Sequence, residues 1–129
     1  MSSEQEIHDQ LKRLLRNAYA PYSQFRVAAA AFDEDGRGHV GVNVENQSFP
    51  VGVCAEAAAI SALIAAGGKT VKKLYLLSEP NIEVVPCGAC RQRLAEFGAA
   101  DTQVITFGKD GGQTEFSLGQ LFPHGFRFK

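Results

Sequence analysis

The sequence predicts an α/β fold of three layers (α/β/α), with a mixed β-sheet between two layers of helices. The first observation behind this prediction is the order of the elements. Short apolar segments typical of strands alternate with segments of helical periodicity, which favours a sheet covered on both faces. The second observation is the size: with 129 residues, 45% of them hydrophobic and 21% charged, the chain has room for one core. We therefore expect a single domain over residues 1–129.

The first predicted elements are a helix and a hairpin. Ser3 and Glu6 form a capping box at the start of the helix. Pro21 ends it, because the residue before a proline is disfavoured in the helical conformation. The apolar stripe of this helix is formed by Ile7, Leu11, Leu14, Leu15 and Ala18. Residues 25–32 and 40–44 are predicted strands, and the glycine- and aspartate-rich segment between them predicts a hairpin.

The rest of the chain predicts two helices and three strands. An alanine-rich helix is expected over residues 55–66, where Gly67 and Gly68 provide the C-cap. A second helix is expected over residues 87–97, after a loop that contains Pro80 and Pro86. The strands are predicted at residues 74–77, 104–107 and 115–116.

The charge balance and the hydropathy exclude several functional classes. Thirteen Lys and Arg against fourteen Asp and Glu give a formal net charge of -1, without the basic character expected of a nucleic-acid-binding protein. The longest apolar run, residues 57–66, is interrupted by Ser61 and is shorter than the roughly 20 residues of a membrane span. Residues 1–6 lack the basic and apolar segments of a signal peptide. We therefore expect a cytoplasmic protein that binds neither nucleic acid nor membrane.

The three cysteines of the chain are all expected at helix N-termini. Cys54 begins one predicted helix, and Cys87 and Cys90 lie on the same side of the first turn of the other. A helix N-terminus favours the thiolate, which is the form that binds metal. Three thiolate ligands leave the fourth position of a zinc ion open for water, as in catalytic zinc sites. Glu56 lies two residues after Cys54, where its carboxylate can transfer protons without being a ligand.

Other interpretations of these residues are open at the level of the sequence. Cys87 and Cys90 alone form a CxxC motif, which also occurs in redox proteins. A structural zinc site would need a fourth ligand such as a histidine. The histidines of the chain all lie far from the cysteines in sequence: His8, His39 and His124. Glu56 alone could be an ordinary acidic residue in a first helical turn, but its combination with Cys54 favours hydrolytic zinc chemistry.

Two segments around the cysteines resemble the signature of the small cytidine deaminases: Cys54-Ala55-Glu56 and Pro86-Cys87-Gly88-Ala89-Cys90. The similarity extends to residues 19–23, 43–46, 91–92 and 121–123 and to Phe126. The resemblance implies a cytidine deaminase-like fold and one zinc ion per chain, held by the three cysteines. It also implies that Glu56 moves protons from water to N3 of the base and to the leaving amine. Cytidine or 2'-deoxycytidine would become uridine or 2'-deoxyuridine, with release of ammonia.

The same resemblance implies how the substrate is bound. Phe25 would pack on the pyrimidine, the Ala55 backbone would contact the base, and Asn43 and Glu45 would hydrogen-bond the ribose 3'-hydroxyl. The family is homotetrameric, and Phe126 would reach the site of a neighbouring subunit. The expected partner is therefore a small nucleoside, and the expected role is pyrimidine salvage.

The chain departs from the family at several positions. Ala57 stands where the family usually has an arginine that bonds the metal thiolates, and Arg91 or Arg93 is a candidate to replace that charge. The other departures are Ala58 for threonine, Ala28 for glycine and Phe49 for tyrosine. A blasticidin S deaminase also lacks the arginine. The alternatives are therefore a deaminase of a modified cytosine nucleoside and a non-catalytic, zinc-containing nucleoside-binding protein.

Overall fold

A computed structural model of the chain describes residues 3–79 and 82–128. Pro80, which belongs to the predicted loop, lies outside this part of the chain, as do Met1, Ser2, Asn81 and Lys129. The helices are α1 (Glu4–Leu14), α2 (Ala55–Ala65), α3 (Gly88–Phe97) and α4 (Leu118–Leu121). The strands are β1 (Arg26–Phe32), β2 (Gly38–Val42), β3 (Lys73–Glu79), β4 (Gln103–Phe107) and β5 (Gln113–Ser117). None of the helices in the described residues combines the length and the apolar character that crossing a membrane demands.

The five strands form one mixed sheet in the order β2-β1-β3-β4-β5. β3 and β4 are parallel, and the other neighbouring pairs are antiparallel, including the predicted β1–β2 hairpin. α2 connects β2 to β3, and α3 connects the parallel strands β3 and β4. The mixed sheet expected from the sequence is confirmed.

Helices cover both faces of this sheet. Side chains alternate between the two faces along a strand, so the four central alanines of β1 serve two cores. Ala29 and Ala31 pack with α2, α3 and α4, whereas Ala28 and Ala30 pack with α1. The three-layer architecture is therefore confirmed, and α2 and α3 lie together on one face.

Two helical predictions differ from the structure. The capping box of Ser3 and Glu6 is present, but α1 ends at Leu14 and continues only as a 3-10 turn at Leu15–Asn17. The apolar stripe continues through this turn, because buried residues at 15 and 18 do not require α-helical hydrogen bonds. α4 was not predicted, although Ser117 and Gln120 form a second capping box that marks its start.

A close approach between α2 and β2 fixes the position of α2. A Cβ atom added at Gly41 would lie 2.5 Å from the backbone nitrogen of Ala59 and 2.7 Å from the carbonyl oxygen of Ala55. The helix backbone therefore rests directly on β2, and only a glycine leaves it enough space. Because Ala55 is the first residue of α2, this contact also sets the height of the helix N-terminus above the sheet.

We expect Gly41→Ala to destabilise the protein by about 1–3 kcal/mol, which is the usual cost of overpacking against atoms that cannot rotate away. Urea denaturation of both proteins measures the difference in the free energy of unfolding. Gly108→Ala is the matched control, because the nearest atom to an added Cβ there is 3.9 Å away. Equal stability of Gly41→Ala and the parent would show that α2 is free to move off β2.

Candidate active site

The structure places all three cysteines at helix N-termini, as the sequence predicts. Cys54 is the N-cap residue of α2, with extended backbone angles (φ -81°, ψ 159°). Cys87 is the N-cap residue of α3, and Cys90 lies in the first turn of that helix. The unpaired N–H groups and the positive end of each helix dipole therefore face sulfur atoms.

The folded chain brings one cysteine from each helix into contact. The Sγ atoms of Cys54 and Cys90 are 2.6 Å apart, and these atoms and a carboxylate oxygen of Glu56 all lie within 4.8 Å of one another. Cys87 is exposed and stands outside this compact group of ligand atoms. The structure thus joins two predicted ligands and the predicted proton carrier, and the role of Cys87 as third ligand stays a prediction.

The hydrogen bond between the two thiols shifts their pKa values in opposite directions. A hydrogen bond from the Cys90 thiol lowers the pKa of Cys54 to about 6, and the backbone N–H of Ala57 and the charge of Arg93 act in the same direction. Donation of this hydrogen bond, burial and the neighbouring negative charge of Glu56 raise the pKa of Cys90. Cys54 is therefore the more acidic thiol of the pair, and a lowered pKa favours the thiolate form that a metal ion requires.

Glu56 lies in the first turn of α2 with only 7% of its surface exposed. Burial raises the pKa of its carboxyl to about 7, and the charge of Cys54 adds to this rise, while the helix backbone and Arg93 oppose it. A carboxyl with such a pKa can take up and release a proton at neutral pH. Its placement therefore suits a proton carrier better than an exposed helix-capping acid.

The two candidate arginines have different contacts. Arg93 Nη1 lies 3.4 Å from Cys90 Sγ and 3.9 Å from Cys54 Sγ. Arg91 instead donates from Nε to the Pro86 carbonyl oxygen at 2.7 Å and from Nη1 to the Leu121 carbonyl oxygen at 2.6 Å. Arg93 therefore approaches the sulfur atoms, whereas Arg91 ties α3 to the preceding loop and to the end of α4.

The donor set fits zinc. Thiolates are preferred zinc ligands, and two of the three cysteines already converge beside a carboxyl that need not bind the metal. The competing interpretations find less support. The sulfur atom in contact with Cys90 belongs to Cys54 and not to its CxxC partner. Of the histidines, His8 packs on an aromatic ring in the α1 layer and His39 hydrogen-bonds Asp33 at 3.0 Å, so neither faces the thiols.

Asn43 and Glu45, the predicted sugar-binding residues, have contacts within the protein that the sequence did not reveal. The Asn43 amide donates to the Phe25 carbonyl oxygen at 2.8 Å and accepts from the Val27 N–H at 2.9 Å, which fixes the start of β1. The Glu45 carboxylate accepts from the backbone N–H groups of Tyr22 and Ser23 and from the Ser23 hydroxyl. These hydrogen bonds lower the pKa of Glu45, so it stays ionised.

A pocket of about 370 Å³ lies next to Glu45. Its walls are formed by Tyr22, Ser23, Glu45, Asn46, Phe49 and Gly52. The rings of Tyr22 and Phe49 are 6.0 Å apart, which gives the pocket an aromatic side. Of the predicted site residues, Glu45 lines this pocket, while the thiols and Glu56 do not.

The remaining predicted substrate-binding residues occupy three different positions. Phe25 is half-buried directly before β1, and Ala55 is fully buried as the first residue of α2. Phe126 has an exposed ring, but its backbone N–H and carbonyl are both paired with the Gln92 side-chain amide at 3.1 Å. Gln92, which belongs to a segment that matches the family but had no role assigned from the sequence, therefore holds the C-terminal segment on α3.

The fold and this thiol-rich centre together define an α/β protein with a candidate zinc site. A family model described as the cytidine and deoxycytidylate deaminase zinc-binding region matches residues 1–106. The chain is 34% identical over 119 residues to the cytidine deaminase of Mycoplasma genitalium, covering 92% of this chain and 91% of that protein. It is 39% identical over 109 residues to the cytidine deaminase of Mycobacterium tuberculosis, covering 84% and 78%.

Solved structures of cytidine deaminases agree with this match. The cytidine deaminase of Burkholderia pseudomallei superimposes with a TM-score of 0.88 at 34% identity, covering 97% of this chain and all of that one (100%). The enzyme of Mycobacterium leprae gives a TM-score of 0.76 at 39% identity, covering 91% and 98%. The chain therefore belongs to the family of cytidine and deoxycytidylate deaminases.

We expect purified protein to contain one zinc ion per chain, because the cysteines of two helices converge on one centre. Elemental analysis measures the ratio. Cys54→Ala and Cys90→Ala should each lower the zinc content strongly, since each removes a sulfur atom from the pair. His124→Ala is the control and should leave the content unchanged. A parent protein with almost no zinc, or a Cys87→Ala, Cys90→Ala double variant with full zinc, would contradict the assignment.

Proposed function

We propose that the protein catalyses the hydrolytic deamination of cytidine and 2'-deoxycytidine to uridine and 2'-deoxyuridine, with release of ammonia. The observation that carries the proposal is the buried Glu56 carboxyl beside the Cys54–Cys90 thiol pair, in a chain of this family. The curated relatives named above are cytidine deaminases, which supports the same reaction here. We extend the proposal to a cytoplasmic role in pyrimidine salvage, because the substrates are free nucleosides.

In this proposal the proton transfers belong to Glu56. Zinc held by Cys54, Cys87 and Cys90 would act as a Lewis acid that makes water reactive at neutral pH. Glu56 accepts a proton from the attacking water and delivers it to N3 of the base as oxygen adds to C4. Glu56 then takes the proton of the new C4 hydroxyl and transfers it to the amino group. The C4 oxygen becomes the carbonyl of uridine, the bond from C4 to the amino nitrogen breaks, and ammonia leaves. A carboxyl poised near neutral pH suits both transfers.

We propose that the pocket beside Glu45 holds the sugar of the substrate, and the charge of this pocket then favours a nucleoside over a nucleotide. Glu45 is the charged residue among those that line the pocket, and its carboxylate would repel a 5'-phosphate. We propose that Asn43 and Glu45 bind the sugar hydroxyl, that Phe25 stacks on the base and that the Ala55 backbone contacts the base. The protein hydrogen bonds of Asn43 and Glu45 support this assignment, because they hold both side chains in fixed orientations.

An ammonia-release assay on four substrates tests the proposed substrate class. We expect turnover of cytidine and 2'-deoxycytidine, and much slower turnover of deoxycytidine monophosphate because of the charge of Glu45. Faster turnover of blasticidin S than of cytidine would instead identify a deaminase of modified cytosine nucleosides. Zinc-loaded protein that binds cytidine without releasing ammonia would identify a non-catalytic binding protein.

We expect Glu56→Gln to keep the fold and the zinc content. Its deaminase activity should fall by about 10²- to 10⁴-fold, the usual contribution of general acid–base catalysis to the rate. The amide has nearly the shape of the carboxyl but cannot carry the proton. Glu83→Gln is the matched control, because Glu83 lies on the surface and bonds Thr114. Activity of Glu56→Gln within tenfold of the parent would remove Glu56 from the mechanism.

We further propose that the protein assembles as a homotetramer in which Phe126 reaches a neighbouring subunit. Several large apolar side chains are exposed on the single chain near the proposed site: Tyr19, Tyr22, Val44, Phe49, Val51 and Val53. Exposed apolar groups that lie together mark a surface that another protein covers. The Phe126 ring is 73% exposed although its backbone is fixed by Gln92, so it can pack against a second copy without reordering the chain.

We expect Phe126→Ala to weaken assembly and activity together, because an aromatic anchor at an interface contributes about 2 kcal/mol or more to binding. Sedimentation and turnover are measured on the same samples. Phe128→Ala is the control, since Phe128 is also exposed but lacks a contact with Gln92 among the hydrogen bonds of the described chain. A fully active monomer would rule out a site shared between subunits.

A further inference from the structure

The guanidinium of Arg93 bridges the two helices of the metal centre. Arg93 lies three residues after Cys90, so both side chains project from the same face of α3. From there its Nη1 approaches the sulfur of Cys90 at 3.4 Å and the sulfur of Cys54, on α2, at 3.9 Å. A single side chain thus contacts the sulfur atoms contributed by two elements that are far apart in sequence.

The proposed centre has an excess of negative charge. Three thiolates around one divalent zinc ion leave one net negative charge, and an ionised Glu56 adds a second. Cys90 and Glu56 are buried, and an uncompensated charge is costly at buried positions. The charge of Arg93 acts on Cys54, Cys90 and Glu56, which makes it the counter-charge of the whole group.

Ala57 on α2 and Arg93 on α3 have the same spacing from a cysteine of the sulfur pair. Each of these residues lies three positions after the cysteine that its helix contributes to the sulfur pair, and therefore on the same side of the helix. On α2 this position carries only a methyl group, so Ala57 offers the Cys54 sulfur a backbone N–H but no side-chain charge. Of these two positions, only the one on α3 carries a positively charged side chain.

We propose that Arg93 is a positioning residue that holds zinc in place through the thiolates, and that its location on α3 compensates for Ala57 on α2. The inference rests on the proposed zinc site. The hydrogen bonds of Arg93 fix the orientation of the Cys54 and Cys90 sulfur atoms, and its positive charge offsets theirs. Removing the Arg93 side chain therefore weakens zinc binding, although this side chain does not touch the metal. Arg91 cannot take over, because both of its hydrogen bonds to carbonyl oxygens would have to break.

Competition between the zinc-loaded full chain and a chelating dye tests the proposal without relying on activity. We expect Arg93→Ala to lower zinc affinity by about 10- to 100-fold, the range seen when a partner of a metal ligand is removed. Arg93→Lys keeps the charge but loses the planar fork, and should lose less. The double variant Ala57→Arg, Arg93→Ala returns a cation from the other helix and should recover most of the loss. Arg37→Ala, in the exposed β1–β2 turn, is the control.

The outcomes separate the inference from the proposed function. A parent chain that binds zinc, together with an Arg93→Ala variant of equal affinity, would overturn the role of Arg93 and leave the zinc site intact. A double variant that binds zinc no more tightly than Arg93→Ala would overturn the inference that Arg93 compensates for Ala57, because a cation at position 57 would then not replace the one at position 93. A parent chain that binds no zinc would overturn the metal site itself. Circular dichroism checks folding, and if Arg93→Ala unfolds, Arg93→Lys and the double variant decide.

Discussion

The first turns of α2 and α3 contact each other on one face of the sheet, and the candidate metal centre depends on this contact. Each turn presents unpaired backbone N–H groups and the positive end of a helix dipole, which stabilise thiolates. Cys54 comes from one turn and Cys90 from the other, and their sulfur atoms are 2.6 Å apart. Neither helix alone contains both the sulfur pair and the Glu56 carboxyl, so this centre exists only in the folded chain.

Packing contacts far from the sulfur atoms fix the positions of α2 and α3 relative to each other. α2 rests with its backbone on β2 at Gly41, and α3 is tied by Arg91 to the carbonyl groups of Pro86 and Leu121. The buried Leu94 anchors α3 in the same core that holds α2. A site whose groups are held by such rigid elements is preorganised, since little conformational freedom is lost when a ligand binds.

Local signals in the sequence were sufficient to predict the main elements and the three residues that the structure brings together, Cys54, Glu56 and Cys90. The glycines after residue 66 and the cysteines that begin α2 and α3 placed both helices within about a residue of their observed ends. The end of α1 was less predictable, because the same apolar spacing serves an α-helix and a 3-10 turn. The sequence could not show which of Arg91 and Arg93 approaches the sulfur atoms. The difference depends on the carbonyl group of Leu121, thirty residues further along the chain, which the helical pattern of α3 does not reveal.

The contacts of Asn43, Glu45 and Gln92 were unpredictable for the same reason. Each pairs with backbone groups that approach only after the sheet and the helices have assembled. A motif identifies which side chains carry the chemistry, but tertiary contacts decide how they are oriented.

Zinc K-edge X-ray absorption of the zinc-loaded full chain tests the central claim most directly, because it counts the atoms bound to the metal. A centre built from Cys54, Cys87 and Cys90 with an open fourth position predicts three sulfur neighbours at about 2.3 Å and one nitrogen or oxygen neighbour at about 2.0 Å. A spectrum with two or fewer sulfur neighbours would contradict the three-thiolate centre and remove Cys87 from it.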